Sequence, residues 1–168
     1  MADPALPGRV AFDGSSRSSL EQRLEGAGVQ LNAHARTLLL DPVFDAPIEG
    51  EIAIIALSAG ELGFPAGATL PRILAAARER GLHPCPPQTG PYLRLAYLGQ
   101  PSAPDNRTNE GRAPTASMTL VTERLSPDDD YPRGFYLRTI DGKPWLRGFR
   151  CDDEHVFSAH DRLVFRSR

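Results

Sequence analysis

The dipeptide Asp141-Gly142, set between two runs of β-forming residues, constrains this chain more than any other feature. A two-residue hairpin loop of type I′ needs positive φ at both central positions, and Asp-Gly accepts this at little cost. The flanking runs, Gly134 to Ile140 and Lys143 to Cys151, read as antiparallel strands. The short loop then dictates the register. Ile140 faces Lys143, Thr139 faces Pro144, Arg138 faces Trp145, Leu137 faces Leu146, and Tyr136 faces Arg147. Thr139 and Pro144 fall on a non-hydrogen-bonded pair, so the missing proline N–H costs nothing inside the hairpin. It would point outward, and this end of the second strand is expected to be an edge or uncovered.

Side chains alternate across a strand, so the register also sorts the two faces. Phe135, Leu137 and Leu146 belong to a core face. Tyr136, Arg138, Trp145 and Arg147 share the other, where each guanidinium can lie over a ring at ~0.5–2 kcal/mol. One reading is a solvated face whose rings are shielded by arginine stems. Another is a stacking platform for a planar or anionic ligand. A third is a protein contact, since Trp, Tyr and Arg are the usual hot-spot residues. These four residues are the candidate ligand-binding set.

The rest of the chain supplies helices and a few more strands. Residues 1–15 are small and polar and read as a flexible leader, with a single domain over 16–168. Ser18-Ser19-Leu20-Glu21 has the spacing of a capping box, and Leu20, Leu24 and Ala27 then share a helical face. Asn32 suits the N-cap of a second helix carrying Ala35, Leu38 and Leu39, and Asp41-Pro42 ends it. Glu51 to Leu57 reads as a strand. Thr69 opens the clearest helix, with Leu70, Ile73, Leu74 and Ala77 on one face and Gly81 beyond its end. For residues 90–98, Pro91 at a first helical position favours a helix, while alternation of Leu93 and Leu95 around Arg94 favours a strand; the helix is preferred. Residues 99–116 are polar and proline-rich and read as a mobile surface loop. Met118 to Leu125 and Arg162 to Arg166 complete the strands. The fold expected is α+β, with N-terminal helices packed on a C-terminal, mostly antiparallel sheet.

Charge and motifs bound the function. The net charge of −2 exerts no overall pull on nucleic acid or acidic lipid. In residues 131–168, eight Lys and Arg stand against five Asp and Glu, too small an excess to favour nucleic acid. The longest apolar runs fall far short of the ~20 residues that span a bilayer, and the N-terminus lacks a secretory h-region. A cytoplasmic setting without membrane attachment is expected, with Cys85 and Cys151 as free thiols. His83, Cys85, Cys151 and His155 are the candidate metal ligands, although their spacing departs from structural-zinc patterns. Cys85 with His83 is the candidate nucleophile and base of an alternative reading, a small hydrolase or transferase. His160 is a further candidate in that reading. No nucleotide-binding or hydrolase signature is present, and no cofactor is expected.

Three segments carry a likeness. They are Glu61-Leu62-Gly63-Phe64-Pro65-Ala66-Gly67-Ala68-Thr69, then Gly81-Leu82-His83-Pro84-Cys85-Pro86, then Gly90-Pro91-Tyr92-Leu93-Arg94-Leu95-Ala96-Tyr97-Leu98-Gly99-Gln100-Pro101. Together with the tail from Phe135 to Phe165 they resemble a bacterial family of uncharacterised proteins with the pattern LGFPxGAT, GLxxCP and GPxLRLxYxxQP. The resemblance covers about residues 30–166 and departs at the polar stretch around Asp105 to Arg112. A helicase label borne by some members does not carry over to a short chain without a Walker-type loop. The resemblance implies no catalytic residues. The function expected is a non-enzymatic binding or interaction module for a protein or small anionic ligand. A single-strand nucleic-acid binder is a third reading.

Overall fold

The computed structural model describes residues 5–105 and 116–167. The chain runs β1 (Arg9–Asp13), α1 (Arg17–Gly26), β2 (Gln30–Leu31), α2 (Ala33–Leu39), a 3₁₀ turn (Pro42–Asp45), β3 (Glu49–Ser58), β4 (Ala68–Thr69), α3 (Leu70–Glu79) and α4 (Thr89–Ala96). It continues through β5 (Met118–Leu120), β6 (Gly134–Ile140), β7 (Lys143–Phe149), β8 (Val156–Phe157) and β9 (Arg162–Arg166). Seven strands form one sheet in the order β1-β3-β9-β5-β6-β7-β2, and β4 with β8 forms a separate two-stranded ribbon. Among the described strands of the large sheet, the β5–β9 and β2–β7 pairings are parallel and the others antiparallel.

The fold is α+β, but helices and strands are not segregated into halves of the chain. β1 and β3, from the first half, make one side of the sheet. β1 lies inside the stretch expected to be a flexible leader. Val10 and Phe12 alternate with polar residues there and are buried, and the strand pairs antiparallel with β3 from Arg9–Ala53 to Asp13–Glu49. The alternation is short, and the partner that makes it a strand lies some forty residues away.

The sheet is covered on both faces. Alternation along β9 assigns the layers: Val164 joins the core beneath α1, α2 and α4, while Leu163 and Phe165 join the core beneath α3. The first layer contains Leu20 and Leu24 of α1, Leu38 and Leu39 of α2, and Tyr92 and Leu93 of α4. The second contains Leu70, Ile73 and Ala77 of α3 with Phe157 of β8. The helix preferred for residues 90–98 is α4. It packs so close to β6 that a Cβ on Gly90 would lie 2.4 Å from the Phe135 ring.

Local signals hold with small adjustments. Asn32 caps α2, accepting from the Ala35 N–H at 2.9 Å. Ser16 rather than Ser18 caps α1, accepting from the Ser19 N–H at 3.1 Å; Ser18 and Glu21 lie inside the helix, so the expected capping box does not form. The hairpin register is as expected from Ile140–Lys143 through Tyr136–Arg147. Asp141 and Gly142 have φ of 51° and 76°. β2 pairs with Trp145 and Leu146 of β7 and leaves Pro144 uncovered. In the loop expected over residues 99–116, Gln100 is buried and Ser102 bridges to Thr139, while residues 106–115 lie outside the described residues. No helix among the described residues is long and apolar enough to cross a membrane.

Candidate functional site

The hairpin brings Tyr136, Arg138, Trp145 and Arg147 onto one face, as its register requires. Their exposure differs from expectation. Tyr136 and Arg138 are buried, and only Trp145 and Arg147 reach solvent, each partly. β6 lies in the interior of the sheet, and its outward residues are covered by their neighbours: Asp105 on Arg138, and Arg147 and Phe149 on Tyr136. Asp105 accepts from the Arg138 guanidinium at 3.1 Å, giving the buried cation a counter-charge. The Arg147 guanidinium carbon sits 4.8 Å from the centre of the Trp145 ring, and its Nε donates to the Tyr136 hydroxyl at 2.8 Å. The open four-residue platform is thus reduced to one stacked Arg147–Trp145 pair.

The candidate metal ligands do not converge. Cys85 belongs to the core beneath α1, α2 and α4, whereas Cys151 packs against the core on the opposite face of the sheet. His83 is exposed beside Arg166, and His155 stacks edge-on against Phe157 at 4.9 Å. Among the described residues no three His, Cys, Asp or Glu side chains are placed to hold a metal ion.

Burial pushes the Cys85 thiol up to about 12, with the Arg166 charge opposing the rise. The thiol lies 3.9 Å from the Val164 carbonyl oxygen, to which it donates. A thiol held neutral in this way is not a nucleophile at neutral pH. Cys151 is partly exposed, and burial raises its thiol as well, although Arg133 works against the rise. A thiol reagent at neutral pH is therefore expected to modify Cys151 slowly and to reach Cys85 only on unfolding. Absorbance-monitored thiol titration with and without denaturant checks this, and rapid release of two equivalents from native protein would refute it. The neutral Cys85 thiol also contributes a pH dependence. Its stabilisation is whole below the ordinary thiol value of 9.0 and is lost as pH climbs through the folded value of about 12.

The motif around Gly90 to Pro101 builds interior, not a site. Arg94, fully buried on α4, donates to Gln100 Oε1 at 2.8 Å, to the Trp145 carbonyl at 3.1 Å, to the Arg138 carbonyl at 3.5 Å and to the Tyr97 carbonyl. Gln100 in turn donates to the carbonyls of Ala116 and Leu137 at 3.2 and 3.1 Å. This clasp ties α4 to the hairpin.

A groove lies elsewhere, at the β2 margin of the sheet. Glu21 and Glu25 of α1, residues Gly28 to Leu31, and Arg36, Leu39 and Leu40 at α2 enclose a groove of about 590 Å³. Its floor is apolar. Val29 and Leu39 are buried, Leu31 is half-buried, and Leu40 stands 69% exposed. Its walls are charged. Glu21 and Glu25 are one helical turn apart on α1, and Arg36 faces from α2. None of the three has an ion-pair partner among the described residues. Beside the groove, β2 pairs with β7 and with no other strand among the described residues, which leave its outer edge open. Gln30 is the register partner of Trp145, which places the Arg147–Trp145 pair on the other face of the same margin.

Sequence reasoning did not single out this groove. One signal for it is Leu38-Leu39-Leu40: a helix end can turn two of three consecutive leucines inward, and the third must face water. No family model, curated protein or solved structure matches the chain.

Proposed function

We propose that the protein is a non-enzymatic interaction module that takes an extended segment of a partner protein along the open edge of β2. The groove beside that edge carries the reading: an apolar floor, and, among the described residues, unpaired charges on both walls and a sheet margin with no strand beyond it. A strand added to an edge presents alternate side chains to the two faces of the sheet. One set would enter the groove and meet Val29, Leu39 and Leu40. The other would pass over Gln30 and the Arg147–Trp145 pair. β2 is only two residues long, so backbone pairing supplies few bonds. The affinity must come from the groove, where Glu21 and Glu25 favour Lys or Arg next to the apolar anchor. The two free thiols suit a reducing, cytoplasmic setting.

Two blocked hexapeptides test this, one alternating lysine with valine and the other glutamate with valine. In amide-resolved NMR titrations, the lysine peptide is expected to shift Gly28 to Leu31 and the α1 wall, and the glutamate peptide to bind at least about tenfold more weakly. The double variant Glu21→Lys with Glu25→Lys should reverse that preference. Equal binding of both peptides, or shifts that avoid residues 28–31, would overturn the reading.

A further inference from the structure

We infer that a second site, lined by Arg78, His83, Glu123 and Arg166, takes the phosphate group of a small hydroxylated phosphate ester. The cavity is about 350 Å³ and shares no lining residue with the β2 groove. It is assembled where the end of α3 meets the end of β9. Arg78 comes from the last turn of α3. The His83 N–H donates to the Arg166 carbonyl at 2.9 Å and the Arg166 N–H donates to the His83 carbonyl at 2.8 Å, which locks these two backbones together. Pro84, Pro86 and Pro87 line the wall with fixed φ, and the Cys85 N–H is anchored on the Val121 carbonyl at 2.7 Å. The scaffold is therefore set before any ligand arrives.

Its charge is unbalanced. Two guanidinium groups and an imidazole face one carboxylate, Glu123. Among the described residues neither Arg78 nor Arg166 has an ion-pair partner. The Arg166 Nε is moreover buried without a hydrogen-bond acceptor. The Nε itself has no accessible surface, so an anion in the cavity would meet the terminal amino groups of this half-buried guanidinium. Two forked cations match the several oxygens of a phosphate better than the two of a carboxylate. Glu123 would repel a bare phosphate but can accept from a hydroxyl on the body that carries it, which selects a hydroxylated ester.

The probes are inorganic phosphate and glycerol phosphate, titrated at constant ionic strength against chloride with amide-resolved NMR as the readout. Both phosphates are expected to produce saturable shifts at His83, Cys85 and Arg166, and the ester should bind more tightly. Arg166→Gln and, separately, Arg78→Ala on the exposed helix end should each weaken glycerol phosphate by about tenfold. Glu123→Gln should remove the preference for the ester while keeping phosphate binding. Absence of saturable shifts, an ester that binds no better than inorganic phosphate, or unchanged affinity in both arginine variants would overturn the assignment.

Discussion

Arg94→Met is expected to lower the stability of the fold by about 3 kcal/mol, read as a fall in the urea midpoint at unchanged slope. Methionine fills much of the same volume, so the loss is one of hydrogen bonding rather than packing. The carbonyls of Tyr97 and Trp145 and the Gln100 side-chain oxygen would each lose a donor inside the protein. The Tyr97 carbonyl and Gln100 Oε1 keep only long bonds, from the Gln100 N–H at 3.4 Å and the Thr139 hydroxyl at 3.5 Å, and the loss of three charge-assisted bonds at ~1.5–3 kcal/mol each outweighs what is recovered by no longer burying a cation. That recovery is real. No carboxylate pairs with Arg94 among the described residues, and burial brings its guanidinium down to about 10, still protonated at neutral pH. Arg94→Lys should not rescue, because one ammonium cannot reach carbonyls on both the helix end and the hairpin. A methionine variant as stable as the parent would show that the desolvation cost cancels the clasp.

The second large effect is expected at Gly148. A Cβ there would lie 2.6 Å from the His34 carbonyl carbon and 2.8 Å from the Ala35 nitrogen, both backbone atoms of the first turn of α2. Backbone cannot swing aside as a side-chain tip can. Gly148→Ala should therefore push α2 off β7 at a cost of about 3 kcal/mol. The displacement would also strain Asn32, which accepts from the Gly148 N–H at 2.8 Å and donates to its carbonyl at 3.0 Å while capping α2. Loss of these bonds should appear as faster amide hydrogen exchange at Ala35 and Gly148, ahead of any global unfolding. Unchanged exchange and an unchanged melting temperature would contradict the close approach.

The hairpin was legible because its determinants are local: the turn residues set the loop, and the loop sets the register. α2 and α3 were legible for the same reason, each through its apolar face and a cap or a terminal glycine. Short strands were not. β2 is two residues long and becomes a strand only because β7 lies beside it, more than a hundred residues on in the chain. The burial of Tyr136 and Arg138 was hidden by the same non-locality. Alternation suggests one wet face, but on this central strand distant side chains cover it, and the carboxylate that makes Arg138 tolerable sits in a loop read as mobile. The candidate groove lies wholly within residues 21–40, yet its character depends on where α1 and α2 settle relative to each other. A sequence pattern gives each helix its inward face without giving the gap between them.

The order of the strands bears on how the chain is made. The margins of the large sheet, β1 and β2, both lie within residues 9–31, well before its other strands, and α1 carries the chain from one to the other. The third place from the β1 side belongs to β9, which ends at Arg166. A nascent chain emerging from the ribosome therefore holds both borders of the sheet long before its centre exists. It cannot build outward strand by strand, and must wait for the final strand before β1 and β3 are joined to the rest. Such long-range closure favours slow, all-or-none folding, and it leaves the early segments exposed to chaperones while translation runs.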